Sequence, residues 1–273
     1  MIKVGVYTDL TSEDYHAHKE SISRSALMDF NKSHYNYWAK HLNPNRPNKD
    51  ATPAMILGSA FHSFVLEPEK FNNEYVKEPI KVLLKDVGRD KYEEYKQSLV
   101  DIEKQNKIIL SHDEWDNIMN MFRVFEKNSS ALELISNARI ENSFFWQDKE
   151  SGLLLKARPD ILHENMIVDL KTCSDASPRA FQTEMVKYGY HVQMAMICDA
   201  VEALEGRRIE NFINVCIETK YPYNMAIYMI DVDAVNAGEE KYKRLCVELK
   251  NCLTTNTFND YGIHLIGLPK WAI

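Results

Sequence analysis

Residues 166 to 173 read MIVDLKTC. The apolar run of Met166, Ile167, Val168 and Leu170 is that of a strand covered on both faces, which belongs in the middle of a sheet flanked by helices. Asp169 and Lys171 break the run. Ionised side chains are rarely buried without a partner, so the fold must supply this pair with counter-charges or a ligand. Side chains two apart on a strand share a face, which puts Asp169 and Lys171 together and sends Leu170 to the other side.

The preceding segments IENSFFWQ, LLLKARPDIL and then MIVDLKT, joined by the turns DKESG and HEN, read as three successive antiparallel strands. Asp160 lies where the second strand begins to pair with the third, within reach of the same face. Two carboxylates and one ammonium then converge. Hard oxygen ligands of this kind suit Mg²⁺ or Mn²⁺ rather than zinc, with Asp160 and Asp169 as ligands. Lys171 beside the metal can orient or deprotonate a water for attack on a phosphoryl group. An Asp-x-Lys pair is also common at a solvated strand edge or in a structural salt bridge. Here the apolar flanks and the Pro159-Asp160 pair at hairpin distance favour a site.

Around this strand the period changes. Ser23 can cap a helix over SRSALMDFNKSHYNYWAKHL, and Thr52, with Pro53 in the first helical position, can cap AMILGSAFHSFVLEP until Pro68 stops it. Residues 80–135 are charge-rich and helix-prone, with Trp115, Ile118, Met119 and Phe122 at helical spacing. Helices are expected near 177–187, 190–205 and 233–253, and INVCIET with MAIYMIDV forms another strand pair. The expectation is a single α/β domain over residues 1–273. Its N-terminal helical part runs to about 135, and a mixed, mostly antiparallel sheet with flanking helices occupies the rest.

The chain has 273 residues, enough for a sizeable core, and a formal net charge of −7. That charge argues against nonspecific binding of nucleic acid, which depends on Lys and Arg neutralising phosphates. It leaves room for an enzyme with basic residues gathered on one face and carboxylates at a metal. No stretch approaches the roughly 18 apolar residues of a membrane span, and the first residues lack the apolar core of a signal peptide. The five cysteines show no C-x-x-C spacing, so a reduced, cytoplasmic protein is expected. Arg158, Arg179, Lys187 and the Arg207-Arg208 pair are candidates for contacts to a DNA backbone, and Ser177 for a helix cap beside it.

Pro159-Asp160 followed by Asp169-Leu170-Lys171 resembles the signature of the PD-(D/E)XK nucleases. The stretches ISRSALMDF, AMILGSAFHSFVLEPEKF, RPDIL, IVDLKTCSDASPRAF and YGYHVQMAMICDA resemble the RecE-like (exonuclease VIII) branch found in phage and prophage recombination systems. The resemblance implies a restriction-endonuclease-like core, a Mg²⁺ or Mn²⁺ cofactor and a helix-borne histidine in the metal shell. His62 is the matching position, although a lone histidine on an apolar helix is ordinarily a core residue. Gln193 and Tyr190 match a further element, in which the glutamine positions the active-site lysine or the DNA backbone; the bland alternative is a polar residue on a helix surface. The chain departs at Ile197, where related helicase-associated nucleases carry a tyrosine. Glu141, heading the first strand of the meander, reads equally as an outer carboxylate or as an exposed strand end. Four cysteines placed for an iron–sulfur cluster are not on offer.

The resulting expectation is a metal-dependent deoxyribonuclease with catalytic Asp160, Asp169, Lys171 and Gln193. The metal would sit on His62, Asp160, Asp169 and Leu170, and DNA on Arg158, Arg179 and Tyr190. The resemblance implies 5′ to 3′ resection of linear double-stranded DNA from its ends in a bacterial or prophage setting, with a single-strand annealing protein as partner. It also implies a ring-shaped homo-oligomer, a tetramer by analogy, which would let an acidic protein hold DNA by enclosure. The alternatives are an endonuclease or repair nuclease on the same core, and a noncatalytic DNA-binding or assembly protein.

Overall fold

The computed structural model describes residues 2–47, 50–82 and 84–268. Its centre is a five-stranded sheet in the order Met225–Met229, Asn211–Glu218, Met166–Cys173, Ile161–Leu162 and Arg139–Ile140. Met166–Cys173 runs parallel to Asn211–Glu218, and the other pairings in this sheet are antiparallel. The fold is therefore α/β with a mixed, mostly antiparallel sheet.

Alternation along the central strand sorts its side chains between two layers. Ile167 joins the core beneath helices Arg24–Lys32, Tyr190–Glu205 and Val232–Thr255, whereas Val168 and Leu170 join the core beneath Pro53–Leu66 and His112–Phe125. Each such buried aliphatic side chain stabilises the fold by about 1.5–3 kcal/mol relative to exposure. The helices begin where their caps place them. The Met55 N–H donates to Thr52 Oγ1 (3.3 Å) and the Ala26 N–H to Ser23 Oγ (3.3 Å), while Ser111 and Glu114 form a reciprocal capping box. No helix among the described residues is long and apolar enough to cross a membrane.

The three-strand meander is not what forms. LLLKARPDIL is cut in two: Leu154–Ala157 pairs with Ser143–Gln147 in a separate sheet completed by Gly5–Tyr7, and only Ile161–Leu162 pairs with the central strand. Pro159 explains the break, since it has no N–H for a ladder and restricts the residue before it. IENSFFWQ is cut likewise, with Arg139–Ile140 in the larger sheet, Ser143–Gln147 in the smaller one and Glu141 between them at φ 55°. The charge-rich stretch also holds a short strand, Ile108–Leu110, parallel to Tyr75–Lys77.

Close packing of the two long helices on one face depends on Gly238. A Cβ there would lie 2.5 Å from the His191 carbonyl oxygen and 3.0 Å from the Val192 nitrogen, both rigid backbone atoms. Gly238→Ala is expected to destabilise the protein by about 1–3 kcal/mol through this overpacking, despite the better helix propensity of alanine. Denaturant unfolding measures it, and unchanged stability would show that the helices separate at no cost.

Candidate metal centre

The site begins with a vacancy in the sheet's own hydrogen bonding. Ile161–Leu162 pairs only with Val168 and Ile167, so from Asp169 onward this edge of the central strand has lost its antiparallel neighbour. Asp160, just before that short neighbour, fills the gap with its side chain: the Leu170 N–H donates to Asp160 Oδ2 at 2.8 Å. The N–H and C=O of one strand residue point the same way, so the Leu170 carbonyl faces this edge as well.

His62 reaches the edge from helix Pro53–Leu66. Its Nε2 is 2.8 Å from Asp160 Oδ2 and its Nδ1 is 3.3 Å from Glu141 Oε1. One turn earlier Gly58 brings the helix close to the sheet, where a Cβ would stand 3.0 Å from Thr172 Oγ1. Glu141 is held in the left-handed region, uncommon for a residue with a Cβ, and its N–H donates to the Asp160 carbonyl (3.1 Å). His62, Glu141 and Asp160 each present one ligand atom within 4.8 Å of the others.

Asp169 and Lys171 lie on the opposite face, under helix Tyr190–Glu205. Asp169 is 1% exposed. Gln193 Nε2 donates to its Oδ1 (2.8 Å), Asn214 Nδ2 donates to its Oδ2 (3.0 Å), and Lys171 pairs with the same Oδ2. The Lys171 ammonium rests 4.9 Å from the centre of the Tyr190 ring. Arg24 donates to the Tyr188 carbonyl (2.7 Å) and to Gln193 Oε1 (3.4 Å), which turns the Gln193 amide so that its NH₂ faces Asp169. Lys171, Gln193 and Arg24 border a cleft of about 480 Å³ that His62, Glu67, Glu141 and Asp160 also line.

Burial alone would lower the His62 pKa, but Asp160, with Glu141 and Asp169 behind it, outweighs burial and lifts it to about 9. Burial likewise works against ionised Asp160, yet His62, Lys171 and the Leu170 amide hold its carboxyl below the usual range. Burial and the neighbouring Asp160 push Glu141 up to about 7, and the same two causes push Asp169 up to about 6 against the pull of Lys171. Three carboxyl groups this close favour a cation among them. The donor set, two carboxylates and an imidazole with a backbone carbonyl on the same edge, fits a divalent ion that takes oxygen ligands and tolerates nitrogen.

His62 and Asp160 stand together, with Glu141 beside them. Asp169, bonded by Lys171, Gln193 and Asn214, lies beside the cluster, near enough for Asp160 to raise its pKa. Arg158 lines the cleft while donating to Ser143 Oγ (2.8 Å) and the Leu10 carbonyl (2.9 Å), with Glu141 at 3.8 Å. Arg179 is exposed on the first turn of helix Pro178–Tyr188, and Tyr190 supports Lys171. Ser177 makes no side-chain cap; its own N–H donates to Asp175 Oδ1 instead. Arg207 bonds Glu205 and the His163 carbonyl. Asn214 and Arg24 were not foreseen. A polar residue midway through the apolar INVCIET strand was the available signal for the first, whereas nothing local distinguishes Arg24.

Asp160→Ala and Glu141→Ala are each expected to weaken Mn²⁺ binding by about tenfold or more in calorimetric titration. Asp160→Ala should in addition cost about 1–3 kcal/mol of stability, since the Leu170 N–H loses its acceptor. Unaltered Mn²⁺ affinity in both variants would rule out the cluster as a metal centre.

Comparison with known proteins places this geometry in context. No curated relative matches the chain by sequence. Among 19 matching solved chains is a proposed exonuclease from Eubacterium rectale, 16% identical with a TM-score of 0.60, over 94% of this chain and 97% of that one. At that identity the likeness shows a shared fold. A phage-related exonuclease from Haemophilus somnus 129PT, 11% identical over 66% of this chain and 90% of its own, has a TM-score of only 0.31. Residues 23–263 match the family described as a PDDEXK-like domain of unknown function (DUF3799), and the chain belongs to that family.

Proposed function

We propose that this chain is a Mg²⁺- or Mn²⁺-dependent deoxyribonuclease, an exonuclease that resects linear duplex DNA from its 5′ ends in phage-type recombination. The observation that carries the reading is the pairing of the His62–Glu141–Asp160 cluster with a Lys171 that lines the same cleft. His62, Asp160 and Asp169, with the Leu170 carbonyl, would hold the ion, and Glu141 adds a further carboxylate beside His62. When bound, the ion supplies Lewis-acid polarisation of a phosphoryl oxygen.

The chain's own residues do the rest. Lys171, carried on the Tyr190 ring and anchored by Asp169, presents an ammonium that orients the attacking water and offsets charge on the phosphate. Gln193 fixes Asp169, and Arg24 fixes Gln193 while presenting its guanidinium to the cleft. Glu67 and Lys70, an ion pair at 2.8 Å, close another part of the cleft wall. A noncatalytic DNA-binding protein has no need of this set in one cleft, which favours the enzyme over that alternative.

The reading extends to assembly. A net charge of −7 gives little long-range attraction for DNA, so sustained digestion is more readily explained by a closed homo-oligomer, a ring of four, around the duplex. A single-strand annealing protein would take the product strand.

With Mg²⁺ or Mn²⁺, linear duplexes should lose a 5′ label early and a 3′ label late, while covalently closed circles stay intact. Cut circles would identify an endonuclease instead, and intact linear DNA a binding protein. Asp169→Ala and Lys171→Ala should each lower kcat by about 10² or more, and His62→Ala should lose most activity with its circular dichroism unchanged. Light scattering at micromolar protein should give about four times the 31.8 kDa chain mass; a monomer that digests long DNA processively would exclude the ring.

A further inference from the structure

The family match begins at residue 23, yet part of the cleft wall comes from upstream of it. Ser12, Tyr15 and His16, on the short helix Ser12–Ala17, line the cleft together with His62, Asp160 and Lys171.

That wall is fixed by two cations. A buried ammonium ordinarily has a carboxylate beside it. Lys156, 5% exposed, instead donates to the backbone carbonyls of Tyr15 (2.7 Å) and His18 (2.8 Å), with the centre of the Tyr15 ring 4.8 Å away. Arg158 donates to the carbonyls of Leu10 (2.9 Å) and Thr11 (3.3 Å) and lies 4.4 Å from the centre of the same ring. Strand Gly5–Tyr7 anchors the segment on one side, and the bond from the Ile22 N–H to the Leu154 carbonyl (2.8 Å) anchors it on the other. The segment is thus gripped by its backbone and by Tyr15, while the His16 ring stays exposed, edge-on to Tyr15 with 5.2 Å between centres.

His16 stands where the cleft continues into two smaller cavities, of about 140 and 220 Å³, that run past Lys156 and the first turn of helix Arg24–Lys32. Burial, and then the positive charges of Lys156 and Arg158, lower its pKa, so its imidazole is uncharged at neutral pH. An uncharged planar ring has little to offer a phosphate, which Lys171 and Arg24 can meet in the same cleft. It can stack on a base, an interaction that tolerates any sequence because every base has a π-face.

We propose that helix Ser12–Ala17 is a substrate-binding wall of the cleft and that His16 stacks on a nucleobase next to the scissile phosphate. The assignment deepens the nuclease reading above and rests on it.

His16→Ala, His16→Phe and His16→Lys test it beside wild type, on linear duplexes whose first or second nucleotide is normal or abasic. In His16→Ala, KM should rise about tenfold with a smaller change in kcat. The Phe variant should stay near wild type, and the Lys variant should not. An abasic nucleotide should raise the wild-type KM by a similar factor and add little in the Ala variant. Mn²⁺ affinity by calorimetry should be the same in all four proteins. Unchanged KM in His16→Ala overturns the assignment. Recovery by Lys and not by Phe also overturns it, by showing a phosphate contact in place of a base. Wild-type protein that cleaves no DNA with either metal overturns the nuclease reading, and the assignment falls with it.

Discussion

The hydrogen bond from the Leu170 amide to the Asp160 carboxylate organises this protein. It stands where a backbone ladder bond would otherwise be, at the point where the short strand Ile161–Leu162 stops pairing with the central strand. One carboxylate thereby satisfies a buried backbone donor and meets His62 with the same oxygen. The neighbouring geometry follows from this. Pro159 stops the upstream strand in the smaller sheet, Asp160 turns into the gap, and its carbonyl receives the Glu141 amide, which aims the Glu141 side chain at His62. Sheet closure and assembly of the site are one event.

The two halves of the site face different layers but are electrostatically coupled, with Asp160 raising the Asp169 pKa and Lys171 lowering that of Asp160. On one side His62 is shared between Asp160 and Glu141, and the strong pull of that pair outweighs the burial that would discharge the imidazole. On the other, Asp169 is buried and tied to Lys171 and two amides. The central strand separates them, as its period of two requires: the Leu170 backbone serves the first half, and the side chains of Asp169 and Lys171 serve the second. A ligand in the cleft meets both halves at the edge they share.

Much of this was legible in the chain. The alternation in MIVDLKTC, the Thr52-Pro53 helix start and the Pro159-Asp160 pair are local signals with local causes, and the structure sets His62 and Asp160 side by side. The sheet partition was not legible. Whether LLLKARPDIL continues or breaks depends on which neighbours are offered to each half, and hairpin periodicity carries no such information. For the same reason Glu141 read equally as a ligand or as a strand end, since its role depends on a left-handed backbone and a contact to residue 160. For Asp169 the spacing rule says which face the side chain takes but not which groups meet it there. Gln193 and Asn214, 24 and 45 residues further on, claim its carboxylate.

The cluster's three side chains come from residues 62, 141 and 160, and Lys171, Gln193 and Asn214 complete the site from still further along. Contacts of such long sequence separation form slowly and late in folding, because loop closure must come before any of them is made. A chain still emerging from synthesis cannot hold the arrangement until residue 214 has joined the sheet beside Asp169. Partly folded or prematurely ended chains would then be chemically silent. An arrangement drawn from segments this far apart is complete only in the finished molecule, and a partly folded chain holds the same carboxylates without the geometry that brings them together.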